Sequence, residues 1–317
     1  MKVTEHFRKA TKTLISFEIL PPLKGKSIQE LFSQIEPLLE FNPAFIDVTY
    51  HREEYIYKKR ENGLLERKSI RKRPGTVAIC AAIQNKYHID AIPHIICGGF
   101  SAEETENALI DLNFLGIENI MVLRGDPVKS EKKYVPEEGG HLYASDLLNQ
   151  ISKLRNGEYL DDVLLNQNPV DFCIGVAAYP EKHYEAPNIN TDLKYLKNKI
   201  DAGADYIVTQ MFFDNQKYYN LLALCKDMGI NVPIIPGIKP ITNKNQIYDI
   251  PKTFNIDIPE ELFNAIEASR DNAHALEIGI EWTIEQSKDL MKNNVPSIHY
   301  FTMSKSQAIK KIAKSVF

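Results

Sequence analysis

Tryptophan and cysteine are scarce in this chain, whose 317 residues include one Trp and four Cys. The cysteines form no CxxC pair, which excludes a zinc ribbon and a thioredoxin-type motif. They stand at Cys80, Cys97, Cys173 and Cys225. Such scattered cysteines are typical of reduced, buried thiols, so we expect a cytoplasmic protein.

Long apolar runs are also absent. No stretch approaches the roughly 18 residues that a membrane helix needs, and the N-terminal segment has no apolar region closed by a small-residue cleavage site. We therefore expect no membrane partner and no secretory signal. With 38 basic and 42 acidic residues the net charge is −4, and the pI is near 6.1. This balance argues against a nucleic-acid partner, because nucleic-acid-binding domains are usually basic.

Several common motifs are missing, namely GxGxxG, GxxxxGK(S/T), HExxH and GxSxG. Their absence removes support for a P-loop, a zinc protease and an α/β-hydrolase, and we predict no metal site. A nucleotide could still be held by backbone N–H groups at helix N-termini. Candidate turns are Gly98-Gly99, which precedes Ser101, and Arg124-Gly125.

Short apolar runs alternate with longer amphipathic stretches along the whole chain, a pattern that favours parallel strands joined by helices. The predicted strands are Thr13–Ile19, Ala44–Tyr50, Ala91–Cys97, Asn119–Leu123, Val170–Ala177, Tyr206–Gln210, Val232–Pro236 and Ser297–Thr302. The predicted helices are Ser27–Glu40, Gly75–Gln84, Ser101–Leu115, Ala144–Leu154, Thr191–Ala202, Asn215–Met228, Lys244–Ile250, Pro259–Ala268, His274–Lys292 and Lys305–Val316. Eight such units favour an α/β fold of the (β/α)₈ TIM-barrel type, with extra helices near the C-terminus. No Pro/Ser/Gly-rich linker interrupts them, so we predict one domain over residues 1–317.

Two polar segments stand apart from this alternation. His51–Arg73 carries nine Lys or Arg and four Glu, a local charge of +5. It fits either a solvated loop or helix face, or a contact for an anionic ligand tail or a neighbouring subunit. Asn156–Asn168 fits an excursion before the fifth strand.

Polar residues recur where the predicted strands end, which in a barrel is where catalytic groups lie. Glu18 stands in an apolar strand, where an unpaired carboxylate is costly to bury, so we expect it to be either paired or functional. Arg124 and Asp126 flank a glycine after the fourth strand, and this spacing fits a plain salt-bridged turn as well as a functional one.

These strand ends carry motifs that resemble those of the methylenetetrahydrofolate reductase family. The motifs follow in order from about residue 13 to about residue 305. They are Phe17–Pro22 (FEILPP), Asp47–Tyr50 (DVTY), Pro93–Cys97 (PHIIC), Leu123–Asp126 (LRGD), Ala177–Glu181 (AAYPE) with His183, Asp201–Ala204 (DAGA), Thr209–Asp214 (TQMFFD) and Ile235–Ile238 (IPGI). One such motif is weak evidence, whereas the whole series in order is specific.

The resemblance implies an FAD-dependent barrel that reduces 5,10-methylenetetrahydrofolate to 5-methyltetrahydrofolate with NADH or NADPH, in one-carbon metabolism and methionine biosynthesis. The implied FAD contacts are Thr49, His94, Leu123, Arg124, Gly125, Asp126, Tyr143, Ala144, Ala177, Tyr179, His183, Asp192 and Lys199. The implied substrate contacts are Glu18, Asp126, Gln210, Gln246, Phe301 and Lys305. The resemblance also implies a homo-oligomer.

The implied reaction is a ping-pong hydride transfer through FAD, with both substrates using one flavin face in turn. Opening of the folate's five-membered ring needs a proton on N10, and the resemblance makes Glu18 the general acid. Desolvation at an apolar strand end raises a carboxyl pKa and keeps the group protonated near neutral pH. Asp126 would stabilise the cationic iminium. Gln210 would match the donor–acceptor edge of the pterin.

Some positions depart from the family pattern. Ile250 stands where an aromatic residue often stacks on the ligand, which makes Tyr248 a candidate substitute. Phe301 lacks the hydroxyl of the family's tyrosine, and Lys305 cannot form the bidentate fork of the family's arginine. No adenosylmethionine-binding regulatory domain of the kind seen in larger relatives is expected within this chain.

The sequence leaves two other functions open. One is a different flavin barrel, of the proline dehydrogenase type, which would not need Glu18 together with Gln210. The other is a barrel that binds a pterin without flavin and acts as a methyl carrier.

Overall fold

The computed structural model describes residues 1–128, 131, 133–165, 167–303 and 305–317. Its strands are β1 (Leu14–Ile19), β2 (Phe45–Val48), β3 (Glu54–Lys59), β4 (Leu65–Ile70), β5 (Asp90–Ile96), β6 (Asn119–Leu123), β7 (Cys173–Ala178), β8 (Tyr206–Thr209), β9 (Ile234–Ile235), β10 (Gly237–Ile238) and β11 (Ser297–Phe301). Its helices are α1 (Val3–Lys9), α2 (Ile28–Ile35), α3 (Thr76–Tyr87), α4 (Ala102–Phe114), α5 (Ala144–Arg155), α6 (Ile189–Asp201), α7 (Asn215–Asp227), α8 (Gln246–Phe254), α9 (Glu260–Glu267), α10 (Asn272–Lys292) and α11 (Ser306–Val316). A 3₁₀ turn, Glu36–Phe41, follows α2.

One parallel sheet runs in the order β10-β11-β1-β2-β5-β6-β7-β8-β9. Only Pro236 separates β9 from β10, and these two halves pair with β8 and β11, so the sheet closes through one split strand. Proline has no N–H to give to the ladder, which explains the break. Its carbonyl still accepts a hydrogen bond from the His299 N–H at 3.0 Å. The predicted barrel, with its additional helices near the C-terminus, is confirmed.

The strands alternate between the barrel interior and the surrounding helices, as the period of two requires. In β1, Phe17 and Ile19 pack with Leu31 of α2 in the main core, whereas Ser16 points inward and lies 2.9 Å from the Nδ1 atom of His299. Glu18, two residues after Ser16, has the same inward orientation. Ser16 and Glu18 thus place polar side chains inside the barrel, although the other residues of β1 are apolar.

A short helix that the sequence patterns did not predict closes the N-terminal end of the barrel. Val3 of α1 is completely buried, in one cluster with Phe45 and Cys173. Its N–H donates to the Asn119 side-chain oxygen at 2.8 Å. His6 lies 2.7 Å from the carboxylate of Asp90. Seven residues with one fully buried side chain give too weak a periodicity to be recognised in advance.

The basic segment 51–73 is neither a loop nor a helix face, contrary to that expectation. Its centre forms an antiparallel hairpin of β3 and β4, with Tyr57 opposite Arg67. The Arg60 N–H donates to the Leu64 carbonyl at 2.8 Å across the turn. Gly63 has φ +81°, a conformation that favours glycine. The hairpin has no fully buried residue, so its strands lack the hydrophobic alternation by which strands are recognised.

Helices α8, α9 and α10 build a second apolar cluster against the carboxyl end of the barrel. It joins Met211 and Phe213, which follow β8, to buried residues such as Ile250 and Leu262. The single tryptophan, Trp282, donates its indole N–H to the Phe213 carbonyl at 3.0 Å. These helices therefore fix one wall of the space above the strand ends.

Of the two capping boxes that the sequence spacing allows, one forms completely and the other in part. Ser101 and Glu104 form the reciprocal capping box of α4, with bonds of 3.2 and 2.8 Å. Ser27 caps α2 through the Gln29 N–H at 3.1 Å, and no return bond from Glu30 is present.

All four cysteines are buried and unpaired. Residues 156–168, apart from Asn166, which lies outside the described residues, connect α5 to β7 without a helix or strand. None of the described helices is both long enough and apolar enough to cross a bilayer.

Candidate active site

A cavity of about 1020 Å³ opens at the carboxyl ends of the barrel strands. This is the size of large small-molecule sites. Every site residue predicted from the sequence lines its wall, with one exception. These residues are Glu18, His94, Leu123, Arg124, Gly125, Asp126, Tyr143, Ala144, Ala177, Tyr179, His183, Asp192, Lys199, Gln210, Gln246, Phe301 and Lys305. The exception is Thr49, which lies outside the wall and directs its hydroxyl to the Ile19 carbonyl at 3.4 Å.

Three ionisable side chains meet at the floor of the cavity. Glu18, Asp47 and His94 project from the adjacent strands β1, β2 and β5, and Glu18 and Asp47 are partners in the sheet register. The Nε2 atom of His94 lies 3.6 Å from a carboxylate oxygen of each acid. Exposed fractions of the side chains are 15% for Glu18, 8% for His94 and 0% for Asp47. Asp47 belongs to a quoted motif, but no role was predicted for it.

The surroundings of Glu18 favour its protonated form. Burial raises its pKa to about 7, His94 acts in the opposite direction, and the Asp47 charge raises the pKa further. Burial on its own would lower the pKa of His94, but the two neighbouring carboxylates outweigh it and raise that pKa. Each separation of 3.6 Å exceeds a hydrogen bond, so we treat these contacts as charge pairs. Glu18 can therefore act as an acid near neutral pH.

The turn after β6 does not contain the Arg124–Asp126 salt bridge that the sequence spacing allowed. Arg124 pairs with Glu185 at 2.6 Å, and Asp126 remains exposed on the cavity wall. The alternative of an Arg124–Asp126 bridge is therefore wrong. Gly125 between them has φ +84°, and a Cβ there would lie 3.0 Å from Ile96. Glycine is thus required for this turn to approach β5.

A cationic and polar wall lies beside this turn. The first helical turn of α5, at Tyr143 and Ala144, faces the cavity. Across from it, the His183 N–H donates to Asp192 at 2.9 Å. The Lys199 ammonium donates to the Ala177 carbonyl at 2.5 Å. Burial lowers the pKa of Lys199 to about 8, although Asp192 partly opposes this shift.

The wall formed by β8, β11 and α8 carries hydrogen-bonding amides. The side-chain oxygen of Gln210 accepts from the Met211 N–H at 2.9 Å. The side-chain oxygen of Gln246 accepts from the Thr242 N–H at 2.7 Å. In both cases the amide oxygen is engaged by the backbone, which fixes the side chain and leaves the NH₂ group for a ligand. Lys305 donates to the Thr242 hydroxyl at 2.8 Å.

The stacking substitute suggested by the sequence does not face the cavity. Tyr248 is 54% exposed and packs edge-on against Phe263. Ile250 lines the cavity, as does Phe254, which the sequence argument missed. Two residues along a helix correspond to about 200° of rotation, so Tyr248 and Ile250 cannot share a face. The aromatic surface at this wall comes from Phe254 and Phe301.

Other cavity residues were not anticipated. His299 reaches the floor from β11, and burial lowers its pKa. Lys239, just after β10, has its pKa lowered to about 8 by burial and by Lys305. Conversely, no residue of the basic segment 51–73 lines the cavity. Its Arg52 pairs with Glu131 instead.

Comparison with known proteins gives one consistent result. A family model described as methylenetetrahydrofolate reductase matches residues 2–316. Methylenetetrahydrofolate reductase (NADH) 1 of Arabidopsis thaliana is 32% identical, over 96% of this chain and 49% of that protein. The chain thus spans about half the length of this relative. The 5,10-methylenetetrahydrofolate reductase of Escherichia coli (strain K12) is 31% identical, over 92% of this chain and 87% of that protein.

Among solved structures, one similar fold is that of a protein from Clostridium thermocellum described as binding two copies of 5-methyl-5,6,7,8-tetrahydrofolic acid. It aligns with a TM-score of 0.56 at 17% identity, over 99% of this chain and 98% of that chain. At that identity the likeness shows the fold alone. The family model covers nearly the whole sequence, and the bacterial relative is matched over most of its length. The chain therefore belongs to the methylenetetrahydrofolate reductase family.

Proposed function

We propose that this protein reduces 5,10-methylenetetrahydrofolate to 5-methyltetrahydrofolate with NADH or NADPH as the reductant and FAD as the cofactor. Family membership supports the reaction. The observation that carries the proposal is Glu18, a carboxyl group with a pKa of about 7 on the floor of a large cavity. We further propose that residues 1–317 act as one catalytic unit and that the functional form is a homo-oligomer.

The cavity wall suits a dinucleotide such as FAD. Its volume of about 1020 Å³ is at the upper end of small-molecule sites. Gly125 keeps one side of the cavity free of a Cβ, and the N-terminus of α5 opens onto the same space. A helix N-terminus presents N–H groups and positive potential to phosphates. Lys199 and Arg124 add two cations.

FAD bound here would supply the chemistry of hydride transfer between the nicotinamide and the folate. In this proposal Arg124, the first turn of α5 and Lys199 hold its phosphates. Flat aromatic rings for contact with FAD come from His94, Tyr179 and His183. Tyr179 and His183 pack edge to face with ring centroids 4.7 Å apart, so each fixes the orientation of the other.

We expect FAD affinity to fall as the pH rises through about 8, because the buried Lys199 ammonium then loses its proton and its attraction for phosphate. One ionisation gives a loss of at most about tenfold per pH unit. Isothermal titration with FAD at a series of pH values would measure this.

Two variants sharpen that experiment. Lys199→Met should bind FAD weakly at all pH values and lose the pH dependence. Lys239→Met removes another cavity lysine with a pKa of about 8. This variant should keep the pH dependence of FAD binding. If the Lys199→Met protein showed the same pH dependence as wild type, Lys199 would not be the group that binds the FAD phosphates.

On the substrate side, Glu18 gives the proton that the folate N10 needs when the five-membered ring opens. Asp126 stabilises the positive charge that develops on the pterin side. The amide groups of Gln210 and Gln246 remain available as donors because the backbone engages their oxygens. Lys305 is placed to meet a carboxylate.

The two alternative functions have less support. Neither a proline dehydrogenase type of barrel nor a flavin-free methyl carrier calls for a protonated Glu18 in one cavity with Gln210. A product assay separates all three. Purified protein supplied with FAD, NADH and methylenetetrahydrofolate should form 5-methyltetrahydrofolate. Proline oxidation, or folate binding without turnover, would favour the alternatives.

A further inference from the structure

Asp47 has no part in the proposed proton donation by Glu18, yet its burial is unusual. Its side chain is completely buried, and neither carboxylate oxygen has a hydrogen-bond partner among the described residues. A buried carboxylate without hydrogen bonds is costly unless a counter-charge is close. Among the described residues, the nearest group that can carry a positive charge is the His94 ring, whose Nε2 atom lies 3.6 Å away and has no hydrogen-bond partner there.

The strand register makes this arrangement specific. Asp47 pairs with Glu18 on one side and with Ile92 on the other, and His94 lies two residues beyond Ile92 on the same face of β5. The imidazole thus stands between two carboxylates, at 3.6 Å from each. An imidazolium in this position is attracted by Asp47, and also by Glu18 once Glu18 has given up its proton, whereas a neutral imidazole would leave the buried Asp47 charge uncompensated.

Among the described residues, the charges that act on Glu18 and His94 are those of the cluster itself. The further titratable groups that face the cluster are His51, Cys80, Tyr206 and His299. Burial raises the pKa of the thiol and the phenol and lowers that of both histidines, so all four are neutral near pH 7. The protons on the floor of the cavity are therefore shared by Glu18, Asp47 and His94.

We propose that Asp47 and His94 form a proton-supply pair behind Glu18, in which Asp47 keeps the imidazole protonated and His94 returns a proton to Glu18 after each turnover. The proposal rests on the proposed function, which consumes one proton at Glu18 per folate reduced. Asp47 acts as a positioning residue, because it works through His94.

The step is a proton transfer and needs no other reactant. The Nε2–H bond of the imidazolium breaks, an O–H bond forms on Glu18, and a neutral imidazole faces a neutral carboxylic acid. The imidazole later regains its proton from water entering the open cavity. Burial raises the pKa of Glu18 to about 7, which makes its carboxylate a proton acceptor, and the charge of that carboxylate attracts the imidazolium. The contact of 3.6 Å must shorten, as catalytic contacts often do once the substrate is bound.

The first test needs no catalysis. An NMR titration of the full chain should give the His94 imidazole a pKa above its ordinary value, and Asp47→Asn should lower it by about one unit or more. Asp90→Asn is a matched control, since Asp90 pairs with His6 at the opposite end of the barrel. It should leave the His94 titration unchanged. A wild-type His94 pKa at or below its ordinary value, or one that Asp47→Asn does not change, would overturn the proposal.

The second test separates proton supply from a structural role. With FAD-loaded, pre-reduced Asp47→Asn protein, the first folate turnover should keep the wild-type rate within about twofold, because Glu18 starts with its proton. Later turnovers should be slower by about tenfold or more, within the range that proton-transfer groups contribute. Equal slowing of first and later turnovers would indicate a structural role only and contradict the proposal.

These tests distinguish the proposal from the function on which it rests. If the wild-type protein reduces no methylenetetrahydrofolate, the proposed function fails, and the imidazole titration still decides whether Asp47 controls His94. If Asp47→Asn does not fold, the titration of wild type against Glu18→Gln decides the proposal. Loss of the Glu18 charge should lower the His94 pKa, and no change would overturn the arrangement.

Discussion

We expect Glu18→Gln to slow the reduction of methylenetetrahydrofolate by about 10²–10⁴-fold, the range of a general acid's contribution. The amide keeps the shape of the side chain but has no proton to give to N10. Reduction of the bound flavin by NADH needs no such proton and stays within about twofold of wild type. Anaerobic stopped-flow measurement of each half-reaction checks both expectations.

The rate of folate reduction should also depend on pH through the ionisation of Glu18. Burial raises the pKa of Glu18 to about 7, and the acid form is the active one. Folate reduction should therefore be fastest below about pH 7 and fall by up to about tenfold per unit above it. The Glu18→Gln protein should lose this dependence.

Glu106→Gln is a matched control for Glu18. Glu106 is buried, and burial raises its pKa, but its carboxylate accepts from the Leu160 N–H away from the cavity. This variant should leave both half-reactions unchanged. Equal slowing of both half-reactions in the Glu18→Gln protein would discard the general-acid role.

Asp126→Asn is the second change with a large expected effect. Asp126 lines the cavity and forms no ion pair with any of the described residues, since Arg124 is engaged by Glu185. Its negative charge is therefore available to the developing iminium. Its removal should slow folate reduction by up to roughly 10²-fold, the lower end for one preorganised electrostatic group.

The same substitution should raise the midpoint potential of the bound FAD. A carboxylate near the flavin opposes the negative charge that reduction adds, and an amide does not. Spectroelectrochemical titration measures the potential, and stopped flow measures the rate. Asp249→Asn, another exposed carboxylate of the cavity wall, is the control and should change neither. An unchanged potential together with unchanged turnover would assign Asp126 a purely structural role.

The barrel could be predicted because its strands are buried on both faces. Their apolar runs, such as that of β6, stand out from the amphipathic helices, and their number sets the topology. The β3–β4 hairpin could not be predicted in this way, since it contributes nothing to a core and its charged residues resemble a loop. Helix α1 is too short to show a period.

Most of the candidate site followed from strand ends and family motifs, but the pairing of its charges did not. Arg124 pairs with Glu185, 61 residues away, whereas the sequence suggested the neighbouring Asp126. Such contacts depend on how two loops meet in space. Asp47 was overlooked for a related reason. Only the register of β1 and β2 shows that it lies beside Glu18 on the inner face.

The central claim is that one cavity serves both halves of a folate reduction. Its most direct test follows the absorbance of the FAD-loaded protein without oxygen. We expect NADH or NADPH to bleach the flavin and methylenetetrahydrofolate, added after removal of the nicotinamide, to restore the colour with one equivalent of 5-methyltetrahydrofolate. A protein that binds no FAD, or whose bleached flavin is not reoxidised by the folate, would contradict the account.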